Sequence, residues 1–246
     1  MWTAGRADDA RGMEANEYAF VHGMRRTRLA LDRWRSDPVP VLRSWFAGAA
    51  LIGLMLLGAV VVIASAVKPD LGFEYLPSIP EGAEPDQLVE IFVKNSLVLA
   101  LHAVACIAGF IAGSSLALSA EKRRGISRWV HERARPVAFA WVILVTCFSL
   151  LTQAAALGVA GSTLANTAGI SPFVLVLTVL PHALVELTAV FLPLAAWTIA
   201  SRRDEWDQLL AATMVTVAIA IPMLIGSAIW EVHVWPYLLQ AASPSV

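Results

Sequence analysis

Residues 172–200 read PFVLVLTVLPHALVELTAVFLPLAAWTIA. The stretch is apolar apart from a few hydroxyls, one histidine and one carboxylate. It exceeds the roughly 20 residues that a membrane-spanning helix needs. It therefore carries Pro181, His182 and Glu186 to membrane depth. Ionisable side chains are costly there and by default mark a functional site. Working outward, apolar runs of similar length recur along the chain. Overall 58% of residues are hydrophobic and only 15% are charged, with a mean hydropathy of +0.67. Soluble domains carry about 25% charged residues. The expected fold is an all-α integral membrane protein, a polytopic helical bundle of about five transmembrane helices.

The spans are expected near residues 44–67, 91–120, 136–160, 172–200 and 209–239. Residues 1–43 form a polar, basic leader. Phe20, Val21, Met24, Leu31 and Trp34 recur there at helical spacing, which predicts an amphipathic interfacial helix from Glu14 to Arg35. Asp37-Pro38-Val39-Pro40 breaks it before the first span. Ala64-Ser65-Ala66 resembles a signal cleavage site, but the apolar run before it is too long, so an uncleaved anchor is expected. A Pro-rich acidic loop separates the first two spans, with Asp86 as an expected helix cap. Asn166 and Gly169 are expected turn formers between the third and fourth spans.

Positive charge sets the orientation. Eight arginines lie in the leader, six basic residues lie in Glu121–Arg135, and Arg202 and Arg203 follow the fourth span. With five spans, these sixteen of the eighteen Lys and Arg fall on one side, which the positive-inside rule makes cytoplasmic. The N-terminus is then inside and the C-terminus outside. Basic residues beside a span more often set topology than bind nucleic acid, so no nucleic-acid partner is expected. Cys106 and Cys147 each lie in an apolar run and read as small apolar helix residues. No cysteine or histidine spacing suggests a zinc site, and no cofactor is expected.

Depth follows from a rise of about 1.5 Å per residue. By that measure His102, Gln153 and His182 share a layer, with Glu186 just beneath it. Asn95 and Glu231 fall in a second layer nearer the outer surface. His182 and Glu186 are four apart and so share one helix face. Three readings stay open. The polar groups bond one another and hold the helices together. They form a transport or proton-relay site. Or His102 completes a metal or catalytic set with His182 and Glu186. No HExxH, GxSxG or paired-carboxylate arrangement supports hydrolysis. Pro181, Pro193 and Pro222 leave continuous, kinked and re-entrant helices equally open. Gly109 and Gly113 are four apart, a spacing that lets helices approach closely and suits a homo-oligomer.

Three segments together resemble the stage II sporulation protein M family. Leu180–Trp197 (LPHALVELTAVFLPLAAW) is similar to that family's Pro-His-Gly-x-x-Glu-like motif in a membrane helix. Ile91–Asn95 (IFVKN) opens the second span as in the family, and Ile221–Pro236 (IPMLIGSAIWEVHVWP) is similar to its closing helix. The resemblance covers about residues 88–239. Ala183 stands where the family usually has glycine, and Gln153-Ala154 where Asn-Gly is expected, as in a divergent member. The resemblance implies a non-enzymatic, multi-pass scaffold or assembly component of the bacterial cytoplasmic membrane, with His182 and Glu186 as motif residues. Its implied partners are other membrane or cell-envelope proteins, with a link to peptidoglycan remodelling, alongside the membrane lipids. The rival expectation is a transporter or channel-type permease subunit built on the mid-membrane His/Glu site.

Overall fold

Helix is the one regular structure that lets a single apolar segment satisfy its whole backbone in lipid. The computed structural model describes residues 21, 24–69, 85–111 and 126–243, and among these there is no strand. Helix α1 covers residues 24–36. It is followed by α2 (Val39–Ala66), α3 (Pro85–Phe110), α4 (Ile126–Thr167) and α5 (Pro172–Arg203). A short 3-10 turn, Trp206–Gln208, leads into α6 (Leu209–His233), and α7 (Trp235–Ala242) closes the described chain. Among the described residues five helical stretches are long and apolar enough to cross a membrane: Val39–Ala66, Asp86–Phe110, Ala140–Thr167, Pro172–Arg203 and Trp206–His233. The chain is an all-α, multi-pass membrane protein. Most of the leader, the acidic loop, Gly113 and residues 121–125 lie outside the described residues.

Helix ends differ from the sequence expectation for identifiable reasons. The break falls at Asp37-Pro38, and α2 begins directly at Val39 with Pro40 in its first turn. Proline is tolerated there because its missing N–H would have no intrahelical partner. Helix α3 likewise starts on Pro85, which puts Asp86 inside the first turn rather than at the cap. Helix α4 absorbs most of the expected linker after residue 160, leaving a tight turn at Gly169, whose φ is 67°. The last span does not run to Leu239. It stops at His233, and α7 restarts with Pro236 in its first turn. Pro236 cannot donate to the preceding turn, and it disfavours helical geometry in the residue before it.

Helix α5 is the centre of the bundle and packs on α2, α3, α4, α6 and α7. It is one uninterrupted helix through Pro181 and Pro193. Ser171 caps it, its hydroxyl accepting from the Val174 amide at 3.2 Å, and Asp204 ends it in the left-handed region at φ 59°. Every residue from Leu187 to Trp197 is buried. A helix covered on all sides for about three turns is a core helix.

Small residues let α2 approach it. Gly48 faces Ala195, and a Cβ added at Gly53 would lie 3.0 Å from the Leu187 Cβ. Gly158 of α4 presses on Ile63 in the same way. Lipid tails are as apolar as leucine, so such contacts are driven by close packing rather than by escape from water.

Hydroxyls inside the bundle are largely satisfied by their own helix. Thr188, Thr198, Ser201, Thr213 and Thr216 each donate to the carbonyl four residues back, at 2.6–2.8 Å. Two serines instead cap other segments. The Ser162 hydroxyl donates to the Val67 carbonyl at 2.9 Å, and the Ser243 hydroxyl donates to the Ala168 carbonyl. At the opposite end, α1 is docked on the bundle. Thr27, Ala30 and Trp34 are buried, and Trp34 meets Trp45 edge-on at 5.1 Å. Arg26 pairs with Asp207 at 2.9 Å. Val21 and Met24 stay exposed on the outer face of the amphipathic helix.

Candidate functional site

Three helices bring polar side chains together inside the membrane. Asn95 comes from α3, Glu186 from α5 and Glu231 from the last turn of α6. The Asn95 carboxamide lies beside the Glu186 carboxyl, and the Glu231 carboxyl is close enough to interact with it electrostatically. All three side chains are half-buried. Helices α3, α5 and α6 pack mutually, so the cluster sits where their three faces meet. The two carboxyls can pass a proton between them, with the carboxamide as a hydrogen-bond partner. They can equally act as a polar joint between three helices.

This differs from the layering expected from sequence. Asn95 was expected in a shallower layer than Glu186. In the structure Asn95 instead lies beside Glu186, so the expected separation of the two layers is not kept.

The other expected members of the site are elsewhere. His102 is buried against Phe191, with ring centroids 5.4 Å apart, and the Val98 and Val190 backbones lie beside it. Neither of its ring nitrogens completes a hydrogen bond with good geometry. His182 is buried towards the other end of α5, tilted against Trp235 at 6.1 Å, and its Nδ1 has no hydrogen-bond partner among the described residues. Trp235 in turn donates to the Thr178 hydroxyl at 3.2 Å. Phe191 and His182 are nine residues apart on α5, about 13 Å along the axis, so the two histidines do not meet. Gln153 stays on its own helix and donates to the Ser149 hydroxyl at 2.9 Å. The shared layer of His102, Gln153 and His182 is therefore not formed. His182 and Glu186 do share a face of α5, but they engage different neighbours. Among the described residues no three His, Cys, Asp or Glu side chains converge as a metal site.

Pro181 is exposed on α5, where it leaves the helix unbroken, and Pro193 is buried. Cys106, which sequence reading treated as a small apolar residue, makes a polar contact: its Sγ donates to the Pro193 carbonyl at 3.0 Å. Both cysteines are free, Cys106 buried and Cys147 exposed. Gly109 faces inward. A Cβ there would lie 2.5 Å from Trp197 Nε1 and 3.2 Å from Leu209 Cδ1. It serves packing within the chain and is not open to a second copy. No family model, curated protein or solved structure matches the chain.

Proposed function

We propose that this chain is a non-enzymatic scaffold or assembly component of a bacterial cytoplasmic-membrane complex. The observation that carries the reading is the closed core. Helix α5 runs unbroken from Pro172 to Arg203 and is buried on every face from Leu187 to Trp197. Transport sites built at mid-membrane typically use interrupted helices and a hinge between repeats. A continuous central helix clasped by neighbours suits a rigid platform instead. Helices α3 and α4 leave long apolar faces uncovered, including Leu97, Leu101, Val104, Trp141, Phe148 and Leu151. These faces meet lipid or other membrane proteins. In this reading the Asn95–Glu186–Glu231 cluster joins α3, α5 and α6, and the partners are membrane or cell-envelope proteins. The resemblance to the stage II sporulation protein M family supports envelope or peptidoglycan remodelling as their field of action.

The test is mild extraction of the tagged chain from its own membranes at native expression level. Defined envelope or membrane proteins should co-purify in fixed ratio, and an unrelated five-span protein should not bring them down. Recovery as monomer or homo-oligomer alone would refute the scaffold.

A second reading, a permease subunit, is favoured by one specific observation: two carboxyls on adjacent spanning helices are close enough to interact electrostatically. It requires that proteoliposomes carrying the chain conduct protons, read with an entrapped pH dye. Glu186→Gln should then abolish that flux without lowering the unfolding midpoint. Vesicles as tight as empty ones would remove proton conduction.

A further inference from the structure

At the end of the bundle that carries Arg202 and Arg203, a crevice of about 320 Å³ opens between α2, α4 and α5. That is the small end of the range for ligand pockets. Its walls are apolar: Ile52 from α2, Ile143 and Cys147 from α4, and Leu194 and Trp197 from α5. Ile143 and Cys147 are exposed, so the crevice communicates with the surroundings of the bundle. By the arginine distribution this is the cytoplasmic end. Arg202, in the last turn of α5, stands at the rim.

The polar groups at the rim are not equivalent. The Thr198 hydroxyl donates to the Leu194 carbonyl at 2.8 Å, and the Ser201 hydroxyl donates to the Trp197 carbonyl at 2.7 Å. Their protons are committed to the helix, and the Arg202 guanidinium is the one charged group among the lining residues. Among the described residues Arg202 is in no ion pair. The nearest acid in sequence, Asp204, accepts from Trp206 Nε1 at 2.8 Å. An apolar crevice that ends at an arginine guanidinium, at the end of the bundle the arginines make cytoplasmic, is complementary to one molecule. That molecule has a hydrocarbon tail and an anionic phosphate head. Guanidinium binds phosphate through paired, charge-assisted hydrogen bonds. Basic pockets between spanning helices on the cytoplasmic side take anionic lipid heads.

We propose that this crevice is a specific site for one anionic phospholipid, with part of an acyl chain between α2, α4 and α5 and its phosphate on Arg202. The lipid would fill the seam between α4 and the α2–α5 pair, where α4 has few other contacts with α5.

The experiment is native mass spectrometry of the full chain, purified in detergent and supplemented with phosphatidylglycerol or phosphatidylcholine. The expected result is one phosphatidylglycerol retained in preference to phosphatidylcholine. Arg202→Gln should lower that occupancy about fivefold, the order of effect of one surface cation on anionic lipid. Arg203→Gln, adjacent but outside the crevice, should retain wild-type occupancy. Ile143→Trp, which fills the slot from its exposed wall, should displace the lipid. Equal retention of the two lipids by the wild type would overturn the proposal. So would equal losses in the two arginine variants, which would indicate diffuse surface charge. Unchanged retention in Ile143→Trp would overturn it too. Should a variant not fold, the wild type still decides. Phosphatidylglycerol must raise its thermal midpoint above that in phosphatidylcholine, and equal midpoints would refute the site.

Discussion

Gly109→Ala tests whether the inner face of α3 is fitted to α5 as tightly as the geometry says. The new Cβ would fall 2.5 Å from Trp197 Nε1 and 2.9 Å from its Cδ1. That is about 1 Å inside the ~3.5 Å optimum for non-bonded heavy atoms. Trp197 is 5% exposed and braced edge-on against Trp206 at 6.4 Å, so the ring has little room to yield. Overpacking of this kind costs about 1–3 kcal/mol. Alanine returns about 0.5–1 kcal/mol through its better helix propensity. The net expectation is a loss of up to about 2.5 kcal/mol, against a gain at the control sites. Gly58 and Gly226 serve as controls, because a Cβ at either meets nothing within 4 Å. Alanine at those sites should keep the propensity gain and stabilise by up to about 1 kcal/mol. Reversible unfolding in mixed micelles, followed by far-UV circular dichroism while the denaturing detergent fraction rises, compares the three variants directly. Adding Trp197→Phe to Gly109→Ala should recover part of the loss, a coupling that a double-mutant cycle measures. If Gly109→Ala stabilises as much as Gly58→Ala, the close α3–α5 contact is wrong.

Other expectations can be checked with the same preparations. Asn95→Leu strips the carboxamide from the Glu186–Glu231 pair and should cost about 0.6–2 kcal/mol in the same unfolding assay; an unchanged midpoint would mean the three helices are not joined there. Trp34→Ala should free α1, read as faster proteolysis within residues 24–36 in inside-out vesicles. Arg26→Ala should change the rate little, since exposed ion pairs contribute about 0–1 kcal/mol; the reverse order would show that the ion pair, not the Trp34–Trp45 contact, holds α1. A membrane-permeant thiol reagent should modify Cys147 in the folded protein and reach Cys106 only after unfolding, so intact-mass analysis should find one adduct before denaturation and two after. Two adducts on the folded chain would contradict the burial of Cys106.

The spans were legible because a bilayer imposes a length on any apolar helix, and each run in this chain meets it. The central place of α5 was not. A segment that faces lipid and one that faces other helices are equally apolar, so Leu187–Trp197 and the exposed stretch around Phe148 read alike. What distinguishes them is the shape of their neighbours, above all Gly48, Gly53 and Gly109. Single glycines in Gly-rich spans carry little information until their partners are known. Glu186 stood out in the sequence by the cost of a carboxyl at membrane depth. Its companions did not, because the rise per residue gives depth along one helix and not the offset between neighbouring helices. That offset sets Asn95, rather than His102 or Gln153, beside Glu186. The histidines illustrate the opposite failure: two conspicuous residues at membrane depth that settle against aromatic rings instead of each other.

The order of synthesis gives the central helix a further consequence. Helix α5 leaves the ribosome after α2, α3 and α4, yet it is the element on which α2 and α3 close. Until then Gly48, Gly53 and Gly109 present unfilled notches to lipid, and α3 has met neither of its main neighbours, α5 and α6. Chains are made from the N-terminus at about 5–20 residues per second, so this waiting state lasts for seconds. A nascent chain halted before residue 172 would hold chiefly the α2–α4 contact, with α3 lacking its main neighbours and exposed to membrane quality control. Completion of α5 converts these helices into a bundle, which places the commitment step of biogenesis late in translation and makes the C-terminal third the part least tolerant of truncation.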